Sequence, residues 1–227
     1  MKIIKVSLIT MILVGSTLGA KESLAIEGLD VSGTVTFKSN IVWRGKTSSK
    51  DSAAIGADLT LKYSGLYIYG GQYSSAREGM GFDLGAGYIN SIDNYTYDIG
   101  YVNYGWTDNE KSSVKYDDWD QIYFYSNYKI EDLTVGIDFN QRTLSITETT
   151  IQLNLAYKIN DILAFKTSAG SVIGDNPTRN YAEFSLSKAC KITGGEWGLK
   201  VGYTDRGGMN GSNKSDTTYA ISHGFSF

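Results

Sequence analysis

The 227-residue sequence has very little cysteine, proline and histidine, with one residue of each. The single cysteine, Cys190, cannot form an internal disulfide bond, and no cysteine or histidine lies near it at the spacing of metal ligands. The 26 glycines and the single proline fit a chain of strands and turns, because proline removes a donor from a β-ladder. We therefore expect neither a disulfide scaffold nor a metal site, and we interpret Cys190 as an inert small residue.

Two further absences narrow the class of protein. Beyond the N-terminal segment the sequence has no run of 18 apolar residues, so it predicts no helical membrane span. The formal net charge is −3, whereas a nucleic-acid partner would call for a basic surface. No phosphate-binding loop or nucleotide fingerprint is present. We therefore expect no cofactor and no nucleic-acid partner.

The N-terminal segment has the pattern of a secretory signal peptide. Lys2 and Lys5 precede an apolar run that ends near Val14, and small residues follow it. This run is too short to span a membrane, and the order of charge, apolar run and small residues is typical of export signals. We predict a signal peptide over residues 1–25, with cleavage after Ala25 or alternatively after Ala20, and one domain over residues 26–227.

The rest of the chain alternates with a period of two residues. Its last nine residues, YAISHGFSF, place bulky side chains at every second position from Tyr219 to Phe227. About twelve segments show this alternation, each near the ~9–11 residues that a tilted strand needs to cross a bilayer. The first strand is predicted to carry Leu29, Ile41 and Trp43 on one apolar face. The fold class is therefore predicted to be all-β, a transmembrane antiparallel up-and-down β-barrel of about twelve strands.

The connections and the aromatic residues support this prediction. Short connections such as Ser64-Gly65 mostly alternate with longer polar ones, as they do in outer-membrane barrels. Tyr63, Tyr88 and Tyr128 fall next to short turns, and Trp43 is predicted to lie in a second aromatic ring near the long loops. Because an even number of strands returns the chain to its starting side, both termini are predicted to face the periplasm.

One segment resembles a known family. The stretch FKSNIVWRGKTSS, Phe37 to Ser49, contains Val42, Trp43, Arg44 and Gly45 before a Ser/Thr-rich turn, and SGLYIYGGQYSS begins at Ser64. Together these stretches resemble the TorF-type porins of proteobacteria over about the first third of the mature chain. The resemblance implies a porin role. Outer-membrane barrels also commonly end in a strand with a terminal phenylalanine that the barrel assembly machinery recognises, which implies that machinery as a partner through Phe227.

Residues on the face opposite the apolar one are polar, small or charged, and are predicted to line a pore. Two interpretations of the charges remain open. In the first, basic and acidic walls create a transverse field that orients small polar solutes. In the second, salt bridges between adjacent strands simply fill the lumen. The predicted pore-lining charged residues are Lys38, Arg44, Asp58, Lys62, Asp83, Asp98, Asp138, Lys166, Glu183 and Lys200.

Three functions fit the sequence. The favoured one is an outer-membrane porin or channel for passive diffusion of small polar solutes, with outer-membrane lipid and the solute as partners. The alternatives are a closed structural or adhesive barrel and a soluble exported β-sandwich that binds a ligand. Catalysis is not expected, because the single histidine, His223, falls on the outward face of the last strand, where it would hardly reach a substrate.

Overall fold

The computed structural model describes residues 27–75, 79–107, 119–143, 148–174, 178–190, 192–206 and 214–227. The predicted signal peptide and its two candidate cleavage sites lie outside these residues. Within these ranges no helix is long and apolar enough to span a membrane.

The described residues form fourteen strands, twelve of which close one antiparallel barrel. Each barrel strand pairs with its neighbours in the chain, and the last strand pairs with the first. The predicted fold class is therefore confirmed in its antiparallel, up-and-down barrel of twelve strands, and the soluble β-sandwich alternative is wrong. The barrel strands are β1 (Leu29–Lys38), β4 (Ala54–Tyr63), β5 (Leu66–Ser75), β6 (Gly79–Ile92), β7 (Tyr95–Thr107), β8 (Trp119–Ile130), β9 (Leu133–Arg142), β10 (Thr149–Lys158), β11 (Leu163–Ile173), β12 (Arg179–Ala189), β13 (Glu196–Thr204) and β14 (Asp216–Ser226), and the two short strands β2 (Val42–Trp43) and β3 (Lys46–Thr47) form a separate hairpin.

The outside of the barrel is apolar. Leu66, Leu84 and Leu153 expose 62%, 69% and 62% of their surface, and they occupy alternate positions on strands whose intervening residues are more buried. Successive side chains of a strand point to opposite faces, so the period-2 pattern of the sequence produces this apolar exterior directly. Exposed apolar surface on this scale is unusual for a protein surrounded by water.

The two ends of the barrel differ in their connections. Tight two-residue turns join β4 to β5, β6 to β7 and β8 to β9 at one end. In the first of them Ser64 and Gly65 have φ values of 48° and 85°, the left-handed pair that matches strand twist in a type I′ hairpin. Residues 39–53 form a much longer connection at the opposite end.

The first strand is shorter than the sequence predicts. It ends at Lys38, and residues 39–53 leave the barrel wall to form the hairpin of β2 and β3. Arg44 and Gly45 form the turn of this hairpin with φ values of 48° and 78°. The prediction that one apolar face continues through Ile41 to Trp43 is therefore wrong, because this turn reverses the chain within the long connection.

The barrel closes where β1 meets β14. Their ladder runs from Thr34 opposite Ser226 to Lys38 opposite Ser222. Gly33 and Phe227 extend it by exchanging two N–H···O bonds of 3.0 Å. A Cβ atom on Gly33 would lie 2.6 Å from the Phe227 ring, so glycine is required for this ring to sit against the first strand.

Candidate functional site

The register of the strands places nine of the ten predicted pore-lining residues on the face opposite the apolar exterior. Two cavities of about 520 and 510 Å³ lie on this inner side and have no lining residue in common. Arg44 differs from the other nine because it lies at the tip of the hairpin rather than on the wall. The nine residues of the strands are Lys38, Asp58, Lys62, Asp83, Asp98, Asp138, Lys166, Glu183 and Lys200.

The hairpin of residues 42–47, which we call the lumen hairpin, lies inside the barrel. Its backbone is bound by side chains of two neighbouring strands, β12 and β13. The Gly45 N–H donates to Glu183 Oε1 at 3.0 Å, and Lys200 Nζ donates to the Val42 carbonyl at 3.1 Å. Arg179 Nη1 donates to the carbonyl of the residue at the tip at 2.7 Å. These three bonds fix the hairpin backbone against one wall.

Glycines on both sides allow this close approach. A Cβ atom on Gly45 would lie 2.2 Å from the Tyr203 carbonyl oxygen, and one on Gly202 would lie 2.6 Å from Val42 Cγ1. Any larger residue at either position would push the hairpin away from the wall. Two structural features therefore require glycine at position 45 of the Val-Trp-Arg-Gly stretch: its left-handed backbone and this contact.

Arg44 connects the lumen hairpin to β8 and to the residue that precedes β10. Its Nη1 is 3.2 Å from Glu148 Oε1 and its Nη2 is 3.1 Å from Gln121 Oε1. Glu148 also lies 3.9 Å from Arg142. Arg44 and Gln121 are 7% and 3% exposed, so this bridge is largely shielded from water. The lumen is thus crossed by a hydrogen-bonded hairpin.

Asn40 fixes the point where the chain turns into the lumen. Its Nδ2 donates to Asp51 Oδ1 at 2.7 Å and to Thr218 Oγ1 at 2.9 Å. Its Oδ1 accepts from the hydroxyls of Thr47 and Ser49, both at 2.7 Å. This buried amide therefore holds residues 39–53 together by hydrogen bonds and links them to β14.

The prediction that Trp43 belongs to an aromatic ring on the outer surface is wrong. Trp43 lines the 520 Å³ cavity together with Lys38, Asp58 and Asp83. The guanidinium of Arg44 lies 4.4 Å from the centre of its ring. The position follows from the inward fold of residues 39–53, which the period-2 pattern does not reveal.

The sequence pattern does not reveal a set of tyrosines on the inner face. These residues lie on β5, β7 and β8, and β5 and β8 are apolar on both faces in the sequence, which leaves their orientation ambiguous. The strand pairing determines the orientation of these side chains, because residues directly opposite in a ladder share a face. The inner tyrosines are Tyr67, Tyr69, Tyr73, Tyr104, Tyr123 and Tyr125.

One pair of inner charges has the arrangement of the second interpretation, a salt bridge between adjacent strands. Lys200 and Glu183, on adjacent strands, form a 2.8 Å salt bridge. The carboxylates on the tyrosine side have neutral donors instead. Asp98 accepts from the Tyr67 hydroxyl at 2.6 Å, and Asp138 accepts from Gln152 at 3.0 Å. A salt bridge therefore occupies one part of the lumen, and the carboxyl groups of Asp98 and Asp138 have hydroxyl and amide donors instead.

The fold is shared with solved porin structures. The sequence matches no family model and no curated protein. A KdgM porin structure aligns with a TM-score of 0.63 at 12% identity, covering 86% of this chain and 99% of that one. The KdgM porin in complex with disordered oligogalacturonate gives 0.63 at 11% identity, covering 87% and 99%. The NanC porin gives 0.58 at 15% identity, covering 86% and 99%. At these identities the likeness establishes a common barrel fold.

Proposed function

We propose that this chain is an outer-membrane channel for passive diffusion of small polar solutes. The observation that carries the proposal is a closed barrel with an apolar exterior and a polar lumen containing two cavities. An apolar band around a polar interior is what a bilayer-spanning barrel needs, because lipid solvates the outside and water the inside. The porin function of the KdgM and NanC neighbours supports the same proposal.

The proposal includes a location and an orientation. Residues 26–227 form the membrane domain, and residues 1–25 are a signal peptide that directs export. The end with the tight turns faces the periplasm and the long connections face outside. Membership of the TorF-type porins and recognition of the Phe227 strand by the barrel assembly machinery are part of this proposal, and the Val42 to Gly45 stretch and the Phe227–Gly33 pairing support them.

Within this channel the lumen hairpin forms the constriction. Solutes pass between the hairpin, whose tip carries Arg44, and the walls lined by Asp83, Asp138 and Lys166. A second candidate function, a closed structural or adhesive barrel, is favoured by one observation. The Arg44 bridge connects the hairpin to both Gln121 and Glu148, and it would obstruct the lumen if it never opened.

Planar-bilayer recording separates these two functions. We expect the purified, folded protein to give discrete steps of ionic current in KCl, and proteoliposomes to swell in small polar solutes. A heat-modifiable gel shift shows that the barrel is folded in the same sample. Folded protein without any current would contradict the channel and favour the closed barrel.

A further inference from the structure

Three tyrosines follow one strand along much of the barrel. Tyr67, Tyr69 and Tyr73 occupy inner positions of β5, and the six steps along the strand from the first to the last correspond to about 20 Å. Tyr125 on β8 joins this surface through Tyr123, whose hydroxyl hydrogen-bonds that of Tyr67 and whose ring stacks on the Tyr125 ring. We call Tyr67, Tyr69, Tyr73 and Tyr125 the tyrosine strip. Tyr73 lines the first cavity and Tyr125 lines the second, so the strip extends between the two.

The rings of the strip lie against the wall because their neighbours are glycines. A Cβ atom on Gly85 would lie 2.3 Å from the Tyr69 ring, and one on Gly87 would lie 2.5 Å from the Tyr67 hydroxyl. The four tyrosines of the strip are half-buried, whereas Tyr123, stacked on Tyr125 at 4.7 Å, is 3% exposed. The strip thus offers partly open aromatic surface along the lumen.

Hydrogen-bonding groups accompany the strip, and they are acceptors or neutral amides. Asp98 contacts Tyr67, and Asp138, Asn127 and Asn154 lie beside Tyr125 around the second cavity. The described strands β5, β6 and β7 contain no lysine or arginine, and neither does β8 as far as Tyr128. A solute on this wall therefore meets aromatic rings, amides and carboxylates, whereas Lys166 and Lys200 line the second cavity from β11 and β13.

We propose that the tyrosine strip binds uncharged oligosaccharides as they cross the channel. A sugar ring has an apolar face of C–H groups that packs on an aromatic ring, and hydroxyls at its edge that donate to carboxylates and amides. The length of the strip accommodates several sugar rings in a row, which favours oligosaccharides over monosaccharides. β5, and β8 as far as Tyr128, offer no lysine or arginine to pair with an acidic sugar. This inference deepens the proposed channel function and rests on it.

The test is blocking of single-channel current in KCl by a neutral trisaccharide of glucose. We expect reversible interruptions of the current in the unmodified protein. Replacing both Tyr69 and Tyr125 by leucine should raise the half-blocking concentration about tenfold, because two stacking surfaces are lost. Replacing both by phenylalanine keeps the rings and should retain most of the block. The matched control is Tyr101→Leu with Tyr219→Leu, both on the outer face.

The outcomes distinguish this inference from the channel itself. Absence of any KCl current would contradict the channel. A normal current that the trisaccharide does not interrupt, or that polyethylene glycol of the same size interrupts equally, would overturn the sugar strip alone. Stronger block by a uronic-acid trisaccharide or by a nucleoside would show that the ligand class is wrong. A heat-modifiable band for each variant shows that the leucine substitutions leave the barrel folded.

Discussion

Arg44→Ala should release the lumen hairpin from Gln121 on β8 and from Glu148 beside β10. The substitution removes two charge-assisted hydrogen bonds, to Glu148 and Gln121, while the backbone bonds of the hairpin to Glu183, Lys200 and Arg179 remain. Gln121 keeps its bond to Asn140 at 2.5 Å, and Glu148 keeps its contact with Arg142. The substitution therefore weakens mainly the bridge from Arg44 and leaves the hydrogen bonds of the barrel wall in place.

The size of the effect follows from the burial of the bridge. Hydrogen bonds to charged groups contribute about 1.5–3 kcal/mol each, and the two bonds of Arg44 share one guanidinium, so we take about 3 kcal/mol for the bridge. A change of about 3 kcal/mol shifts the ratio of bridged to unbridged hairpins roughly 100-fold. We expect a larger mean conductance and much shorter closed periods, measured by planar-bilayer recording.

Two variants sharpen this experiment. Arg44→Lys should have an intermediate effect, because one ammonium group cannot reproduce the two-pronged contact of a guanidinium. Arg206→Ala removes the same charge from an exposed residue outside the lumen hairpin and should leave the conductance unchanged. If Arg44→Ala shows the conductance and closed periods of the unmodified protein, the bridge does not control the passage.

The other predictions concern the hairpin contact and the orientation. Gly45→Val should displace the hairpin and alter the conductance, because its Cβ would lie 2.2 Å from a carbonyl oxygen. Gly194→Val should leave the conductance unchanged, because Gly194 has a similar φ of 70° but open space around it. Equal effects of the two valines would show that backbone strain alone matters. In a Cys190→Ser background, Lys214→Cys should react with an impermeant thiol reagent on intact cells and Asn160→Cys should not; the reverse labelling would contradict the orientation.

The sequence by itself determined the barrel and the face of most strand residues. Alternation with a period of two is a local property, so it identifies the strands without any knowledge of their partners. It also assigned Asp58, Asp83 and Lys166 to positions opposite the apolar face, where the ladder has them. The two-residue turns are also determined locally, because a sequence such as Ser64-Gly65 favours the left-handed backbone of a tight hairpin turn.

The tertiary structure decided where the lumen hairpin lies and what faces it. Val-Trp-Arg-Gly reads as the end of an apolar strand, yet Arg44 meets Gln121 and Glu148, which are 77 and 104 residues further along the chain. The inner side of β5 was equally hidden, because a strand that is apolar on both faces has no period-2 contrast. Both features depend on contacts between distant segments, and local alternation describes only the direction of each side chain relative to its own strand.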